Sequence, residues 1–518
     1  MSNKRIIVLG GGSAGWLTAL LTREFYPEFD ITLIESEEIG ILGAGEGTVP
    51  HFIELIDFLR IPVSALVREC SSTLKIGIKF TNWNGDGTSY FHDFAAKDEL
   101  EEWAFDDNFR YNMLTTHLIG KGAHLDSVNF YAGLAKQWKV PFVLNDLNDV
   151  ALSGYRDSIS AVQHLGNFAL HFDARLLAKY LGHIAQSQRR IKRVEGKFSR
   201  VTEDAEGNIT GIHLENGNYV PCDFIFDCSG FARLLLGKHF NEKWIDYKKH
   251  LPLDTALPFF VPHDGTNFPP YTEAIAMKYG WMWRIPVQNR YGCGYVFDSS
   301  YIDEHEARRE VEEYLGHEIN PPKTFRFQAG TFANTIVKNC YGVGLSQHFV
   351  EPLEATSIWT FSKNLINFLK SGAITNLTPE VSAHLNERCR LIIEPVPEFL
   401  YLHYLTQRSD SPFWQQFRAK TTMMDSLKVK KALWEKVPLF DADTLPLQMF
   451  SAPSWLSVGS GVHFFDKASF ARLASQWEHL QLDQKAGFLA KKHEHLSRAC
   501  MLHGDFLSLL RQKSQPVQ

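Results

Sequence analysis

Arg5-Ile-Ile-Val-Leu-Gly10-Gly-Gly12-Ser13-Ala14-Gly15-Trp-Leu-Thr-Ala is the stretch whose reading decides the fold. A short apolar run rich in β-branched residues predicts a buried parallel strand that stops at Gly10. From Ser13 the chain takes on helical periodicity through about Tyr26. Between them lies G-x-G-x-x-G. Gly10 permits the tight turn, Gly12 lets backbone approach a pyrophosphate, and Gly15 lets helix pack closely on strand. The phosphates would rest on the free N–H groups of the helix start, around Ser13 and Ala14. A second strand, Asp30-Ile-Thr-Leu-Ile-Glu35, ends on an acid twenty residues beyond Gly15, where a carboxylate reaches a ribose hydroxyl pair.

Working outward, 518 residues can bury a large core and hold more than one lobe. Hydrophobic content of 44% and charged content of 22% are ordinary for a soluble chain. A net charge of -6 without a basic stripe gives no footprint for nucleic acid. The 38 Phe and 12 Trp are many, which suits a protein that handles planar ligands and equally a generous core. Seven cysteines at irregular spacing argue for a reducing compartment and against a zinc site or disulfide framework, so no metal is expected. No apolar run reaches the length of a membrane span, and the chain enters its first strand at once. The expectation is a cytoplasmic protein.

The glycine-rich loop Ile39–Pro50 follows the second strand, and helical periodicity then runs from His51 to Glu69. Leu74–Trp83 alternates like a strand, with Ile76, Ile78 and Phe80 on one face and Lys75 and Lys79 on the other. Taken alone, Lys79 is most simply a solvated strand lysine. Tyr90-Phe-His92-Asp-Phe94 adds a histidine and aromatics. The segment from His171 to Leu181 reads as an amphipathic helix, and residues 194–220 as a meander with an Asn-Gly turn. Further buried strands are expected at 223–227 and 339–345, with a helix from Glu351 onward. Trp281-Met-Trp283-Arg-Ile-Pro286 places two indoles on one face of a strand.

The order G-x-G-x-x-G, Gly43-Ala44-Gly45-Glu46-Gly-Thr48-Val-Pro50, Ile78-Lys79-Phe-Thr-Asn-Trp83, Asp227-Cys-Ser-Gly-Phe231, W-x-W-x-I-P and Phe349-Val-Glu-Pro-Leu-Glu354-Ala-Thr356-Ser357 resembles the flavin-dependent tryptophan halogenases. In that family reduced FAD reacts with O2 to give a hydroperoxide. Halide attacks it, and the hypohalous acid formed travels through the protein to an aromatic substrate. The resemblance implies FAD contacts at Gly10, Gly12, Ser13, Ala14, Gly15, Glu35, Ala44, Gly45, Glu46, Thr48, Val194, Leu345 and Ile358. Trp281, Trp283 and Pro286 would lie between the flavin and substrate sites.

Lys79 matches, on this reading, the lysine that receives hypohalous acid. Glu354 would stabilise the cationic ring and accept its proton, with Glu351 as rival. Thr356 and Ser357 would offer N–H groups to chloride or bromide. The family usually reads Ser-Thr-Gly where this chain has Ala355-Thr-Ser357. His92, Phe94 and Trp455 would wall the arene. The Tyr-Tyr and glutamate segment that holds free tryptophan in tryptophan-specific members has no match in Leu445–Ser454, so an indole-type arene is expected.

The expected architecture is α/β: a doubly wound, glutathione-reductase-like FAD-binding sheet with a β-rich substrate layer and a helical C-terminal region. The core would span 1–380, with its sheet built from 1–50, 190–235 and 335–380, and the helical region 381–518. No second nucleotide fingerprint is visible, so a separate flavin reductase would supply FADH2; a homodimer is compatible with the sequence. The alternatives are a flavin-dependent aromatic monooxygenase, or a flavin-binding protein without turnover.

Overall fold

In the nucleotide-type sheet the strand order is Lys192–Glu195, Asp30–Glu35, Arg5–Leu9, Phe224–Asp227, Cys340–Gly342, Ile336–Val337. All neighbours are parallel except the last pair. This computed structural model describes residues 3–38, 45–94, 107–144, 162–164, 167–263, 265–440, 443–444 and 447–512. Alternation along the strands splits the sheet between two coverings. Phe224 and Phe226 meet Phe368 on the helix Ser357–Lys370. Ile7, Leu9, Ile34 and Ile225 instead pack with Ile209, Ile212 and Leu214 of the meander Phe198–Pro221. The crossover helix Ser13–Phe25 starts at Gly12, as the glycine pattern predicts.

The contacts divide the chain into two compact units. Residues 1–43, 172–248 and 327–394 form the first, which holds this sheet; 44–171, 249–326 and 395–518 form the second. The inserted β-rich residues thus group with the C-terminal helices, and the contacts set the last division at 394, not 380.

The second unit is built on a seven-stranded sheet ordered Phe325–Arg326, Thr255–Pro262, Arg290–Phe297, Gly280–Val287, Thr272–Ala276, Gly77–Thr81, Ser89–Asp93. Only the Thr272–Ala276 and Gly77–Thr81 pair is parallel. A separate three-stranded sheet joins Glu46–Gly47, Ala169–Phe172 and Thr73–Lys75. The chain therefore changes sheets at Ile76, whose N–H donates to Pro270 O at 2.8 Å. From Pro395 onward the regular structure is helical, beginning with Pro395–His403.

Two sequence expectations are corrected. The helix expected from His51 to Glu69 is two helices, His51–Phe58 and Val63–Glu69, because Arg60 turns left-handed (φ 57°) and Pro62 bars a continuous run. His171 is in a strand and not a helix. Asp173 caps the following helix, accepting from the N–H groups of Arg175 and Leu176, so helix starts only at Ala174.

Candidate functional site

The glycine loop is shaped by close approaches. At Gly10, with φ +124°, a Cβ would lie 2.2 Å from Cys228 O, and at Gly15 one would lie 1.8 Å from Gly10 O. Gly12, by contrast, faces open space, and no side chain caps the helix that it begins. That leaves the N–H groups around Ser13 and Ala14 for an anion. Glu35 ends its strand with Oε1 accepting from Arg193 Nε at 2.6 Å, while Oε2 stands over the bare α-carbon of Gly11. Val194 pairs with Ile34 on the neighbouring strand, and the turn Gly344–Ser346 brings Gly344 against Ala14, with Leu345 next in the chain. Ile358 is buried on its helix. An open cradle, an uncapped helix start and a terminal carboxylate together fit a dinucleotide such as FAD.

The rest of the expected cofactor loop belongs to the second unit; Ala44 lies outside the described residues. Gly45 (φ +89°) runs against Ile285 and Gly292. Glu46 opens the short strand Glu46–Gly47. Thr48 is tied down: its N–H and hydroxyl both donate to Leu170 O, and its Oγ1 accepts from Leu170 N.

Lys79 does not stand where the sequence reading put it. On its sheet it lies opposite Phe91 and Glu273, whereas His92 lies opposite Ile78 and so projects from the other face. Its Nζ is 3.2 Å from Glu273 Oε1, which also accepts from Thr81 Oγ1 at 2.9 Å. Arg284 Nη2 holds the second oxygen of Glu273 at 2.8 Å. The Lys79 side chain is 33% exposed. This is a cross-strand ion cluster facing away from the aromatic wall.

Lys75 occupies the environment expected of Lys79. It is 0% exposed, its Nζ donates to Thr48 O at 2.9 Å, and the same nitrogen lies 5.3 Å from the centre of the Phe94 ring. A Cβ on Gly47 would come within 3.3 Å of Lys75 Nζ, 3.3 Å of Thr272 Oγ1 and 3.5 Å of His171 Cδ2. The amine therefore lies between Thr48, expected from the sequence at the cofactor, and Phe94, expected at the arene. His171 beside it is fully buried, and desolvation, reinforced by the Lys75 charge, holds its pKa well below the usual imidazole value. The sequence offers one signal for Lys75, a lysine in a largely apolar run.

Around His92 the wall is aromatic. Phe399 lies between the expected members, 5.7 Å from His92 and 4.9 Å edge-on from Trp455, and it stacks on Phe450 at 3.7 Å. Trp455 is enclosed by Trp434 at 5.4 Å and by Lys430, whose Nζ lies 4.6 Å over the indole. Lys430 is ion-paired to the buried Glu398. Phe399 and Phe450 were missed in sequence because nothing separates them from core phenylalanines. Trp281 and Trp283 share a face at 6.2 Å, and Trp283 lies flat over Gly294, where a Cβ would be 2.1 Å from the ring. Pro286, buried on the same strand, presents its carbonyl to Thr73 Oγ1 at 2.7 Å.

In the first unit Glu354 is 1% exposed and closes the short turn Pro352–Glu354. Ala355 is then left-handed (φ 54°), and the helix Ser357–Lys370 starts with Thr356 as its uncapped first flank. Thr356 is buried and Ser357 exposed. The helix expected from Glu351 thus begins later, after a sharp turn that Pro352 initiates.

The tryptophan halogenase family model matches residues 5–476. Tryptophan 7-halogenase RebH of Lentzea aerocolonigenes is 33% identical over 85% of this chain and 83% of its own length. Tryptophan 7-halogenase KtzQ of Kutzneria is 31% identical over 86% and 83%. Among solved structures, the tryptophan 6-halogenase SttH of Streptomyces toxytricini superposes with a TM-score of 0.86 at 26% identity, covering 98% of this chain and 100% of that one. BrvH, a flavin-dependent halogenase from Brevundimonas, gives 0.83 at 26% over 98% and 99%. The chain belongs to the tryptophan halogenase family and is a flavin-dependent halogenase.

Proposed function

We propose that the chain transfers electrophilic chlorine or bromine to an indole-type arene, and that Lys75, in place of Lys79, receives the hypohalous acid. The observation that carries this is the fully buried Lys75 Nζ over the Phe94 ring. Bound reduced FAD, with O2 and halide, supplies the hypohalous acid. An ammonium has three donors, and Thr48 O takes one, so the nitrogen is held by backbone that belongs to the cofactor loop. A cation fixed beside an acceptor ring lowers the barrier by orientation and by polarising the O–X bond. His92, Phe94 and Phe399 offer faces and edges to an electron-rich bicycle. Phe450, stacked on Phe399, supplies apolar surface and so favours an arene over a free amino acid. The relatives named for tryptophan 7- and 6-halogenation support an indole ring.

The first unit supplies the remaining roles in this reading. Gly10, Gly12, Ser13, Ala14, Gly15 and Glu35, with Val194, Leu345 and Ile358, would hold FAD. The buried Glu354 would take the ring proton, and Thr356 and Ser357 N–H groups would bind halide at the helix start. A separate reductase supplies FADH2. Among the described residues no helix is long and apolar enough to cross a membrane.

The test is product analysis with FAD, a flavin reductase, bromide and a panel of indoles including tryptophan. Monohalogenated indole is expected. A hydroxylated ring would establish the monooxygenase alternative, and flavin binding without product the non-catalytic one.

A further inference from the structure

We infer that His171 and Thr272 are positioning residues for Lys75, held in one fixed pattern of hydrogen bonds; the inference rests on the reading of Lys75 given above. The pattern follows from a proton count. Thr73 Oγ1 is 2.7 Å from Pro286 O, a carbonyl that can only accept, so the Thr73 hydroxyl proton is committed there. His171 Nδ1, 3.0 Å from the same Oγ1, must then be the donor. An imidazole kept neutral by burial carries one N–H, so its Nε2 accepts. Thr272 Oγ1, 2.9 Å from Nε2, donates to it. With its one proton spent, Thr272 Oγ1 can face every other neighbour only as an acceptor.

That neighbour is the space over Gly47, on which Lys75 Nζ, Thr272 Oγ1 and the His171 edge converge. A hydroxyl free to rotate could present its hydrogen to the ammonium and repel it. This one cannot. A second histidine braces the same strand from outside: His503 Nδ1 donates to Phe268 O at 3.0 Å, and its Nε2 accepts from Leu74 N at 2.9 Å. The relay therefore begins at Pro286, on the strand of the two tryptophans, and ends at the space over Gly47 that the amine also borders. It fixes which way the amine's neighbours point without adding a charge.

The experiment compares Thr272→Val, Thr272→Ser and Lys75→Met in the full chain loaded with FAD, with indole and bromide. The readouts are haloindole formed per reduced flavin consumed, free hypobromite caught by a trap, and KM against kcat for indole. Thr272→Val is expected to lower the haloindole yield about tenfold, as for loss of a buried hydrogen bond, here the one to His171 Nε2, beside the amine. The KM should stay near its original value and the missing bromine should appear in the trap. Thr272→Ser, which keeps the hydroxyl, should restore the yield to within about twofold of the starting enzyme. Thr272→Val at the original yield, or Thr272→Ser as poor as Thr272→Val, overturns the inference; the latter would assign the role to the methyl group. Should Thr272→Val fail to fold, the serine variant decides the matter through the same ratio. Lys75→Met that still makes haloindole removes the underlying reading instead, so the two failures are distinct.

Discussion

Two lysines four residues apart in one strand-like run occupy opposite electrostatic worlds. Lys79 lies in a cluster of formal charges, with Glu273 shared between it, Arg284 and Thr81, and a third of its side chain in solvent. Lys75 donates to the neutral Thr48 carbonyl, and the Thr272 hydroxyl and the His171 ring border the same space over Gly47. The charge on Lys79 is already answered by a carboxylate, which fixes the side chain and blunts its field. The Lys75 nitrogen donates to a backbone carbonyl and lies near an aromatic ring, so a polar oxidant there would meet a donor held by a dipole.

The sharpest way to break the comparison is Lys75→Met. Haloindole formation should fall about 10³-fold while free hypohalite still accumulates in a trap. Product at the original rate would return the role to another residue. Glu354→Gln comes next, with turnover expected to drop about 10²-fold at unchanged FAD affinity, read from single-turnover product formation. A wild-type rate there would show that the ring proton leaves by another route.

The neutral surroundings of Lys75 also have a thermodynamic signature. Burial depresses His503 to about 4, below the roughly 6.5 of a free imidazole. The folded chain thus keeps this ring neutral where the unfolded chain would protonate it. Its stabilising contribution is whole above pH of about 6.5 and is lost as pH falls toward about 4, amounting to about 3 kcal/mol. Urea unfolding at pH 7 and pH 4.5 should show His503→Gln losing less stability on acidification than the unaltered chain. Equal losses would mean that the ring is not held neutral. The smallest effect is expected from Lys79→Met: product formation within about twofold and a stability loss of about 0.5–1 kcal/mol, since a partly exposed pair contributes little. A large loss of haloindole would reverse the roles of the two lysines.

The nucleotide loop was legible because each of its constraints is local. Gly10 and Gly15 answer to steric contacts within a few residues or with the adjacent strand, Gly12 leaves open space before the helix, and Glu35 ends a strand that the apolar pattern marks. Trp281 and Trp283 share a face because they lie in one unbroken strand. The different settings of the two lysines were not legible because strict alternation puts residues 75 and 79 on one face, whereas the chain leaves one sheet and enters another at Ile76. No residue type announces that crossing. Its cause is the hydrogen bond from Ile76 N to Pro270 O, a partner nearly two hundred residues away in sequence. His171 went unnoticed for a related reason: its helical pattern belongs to Ala174–Gln188, and Asp173 cuts it off one residue beyond Phe172. Phe399 and Phe450 carry no pattern at all until the fold brings them to His92.

The crossing at Ile76 gives the two halves of this run different strand partners. Residues of Gly77–Thr81 take their alignment from Ser89–Asp93 and Thr272–Ala276, and Thr73–Lys75 takes its own from Ala169, Leu170 and His171. A designer could therefore recut the face that Ile78 shares with His92 while leaving the strand pairing of Lys75 with Ala169 in place. The Lys75 nitrogen would stay on its own mooring, the Thr48 carbonyl.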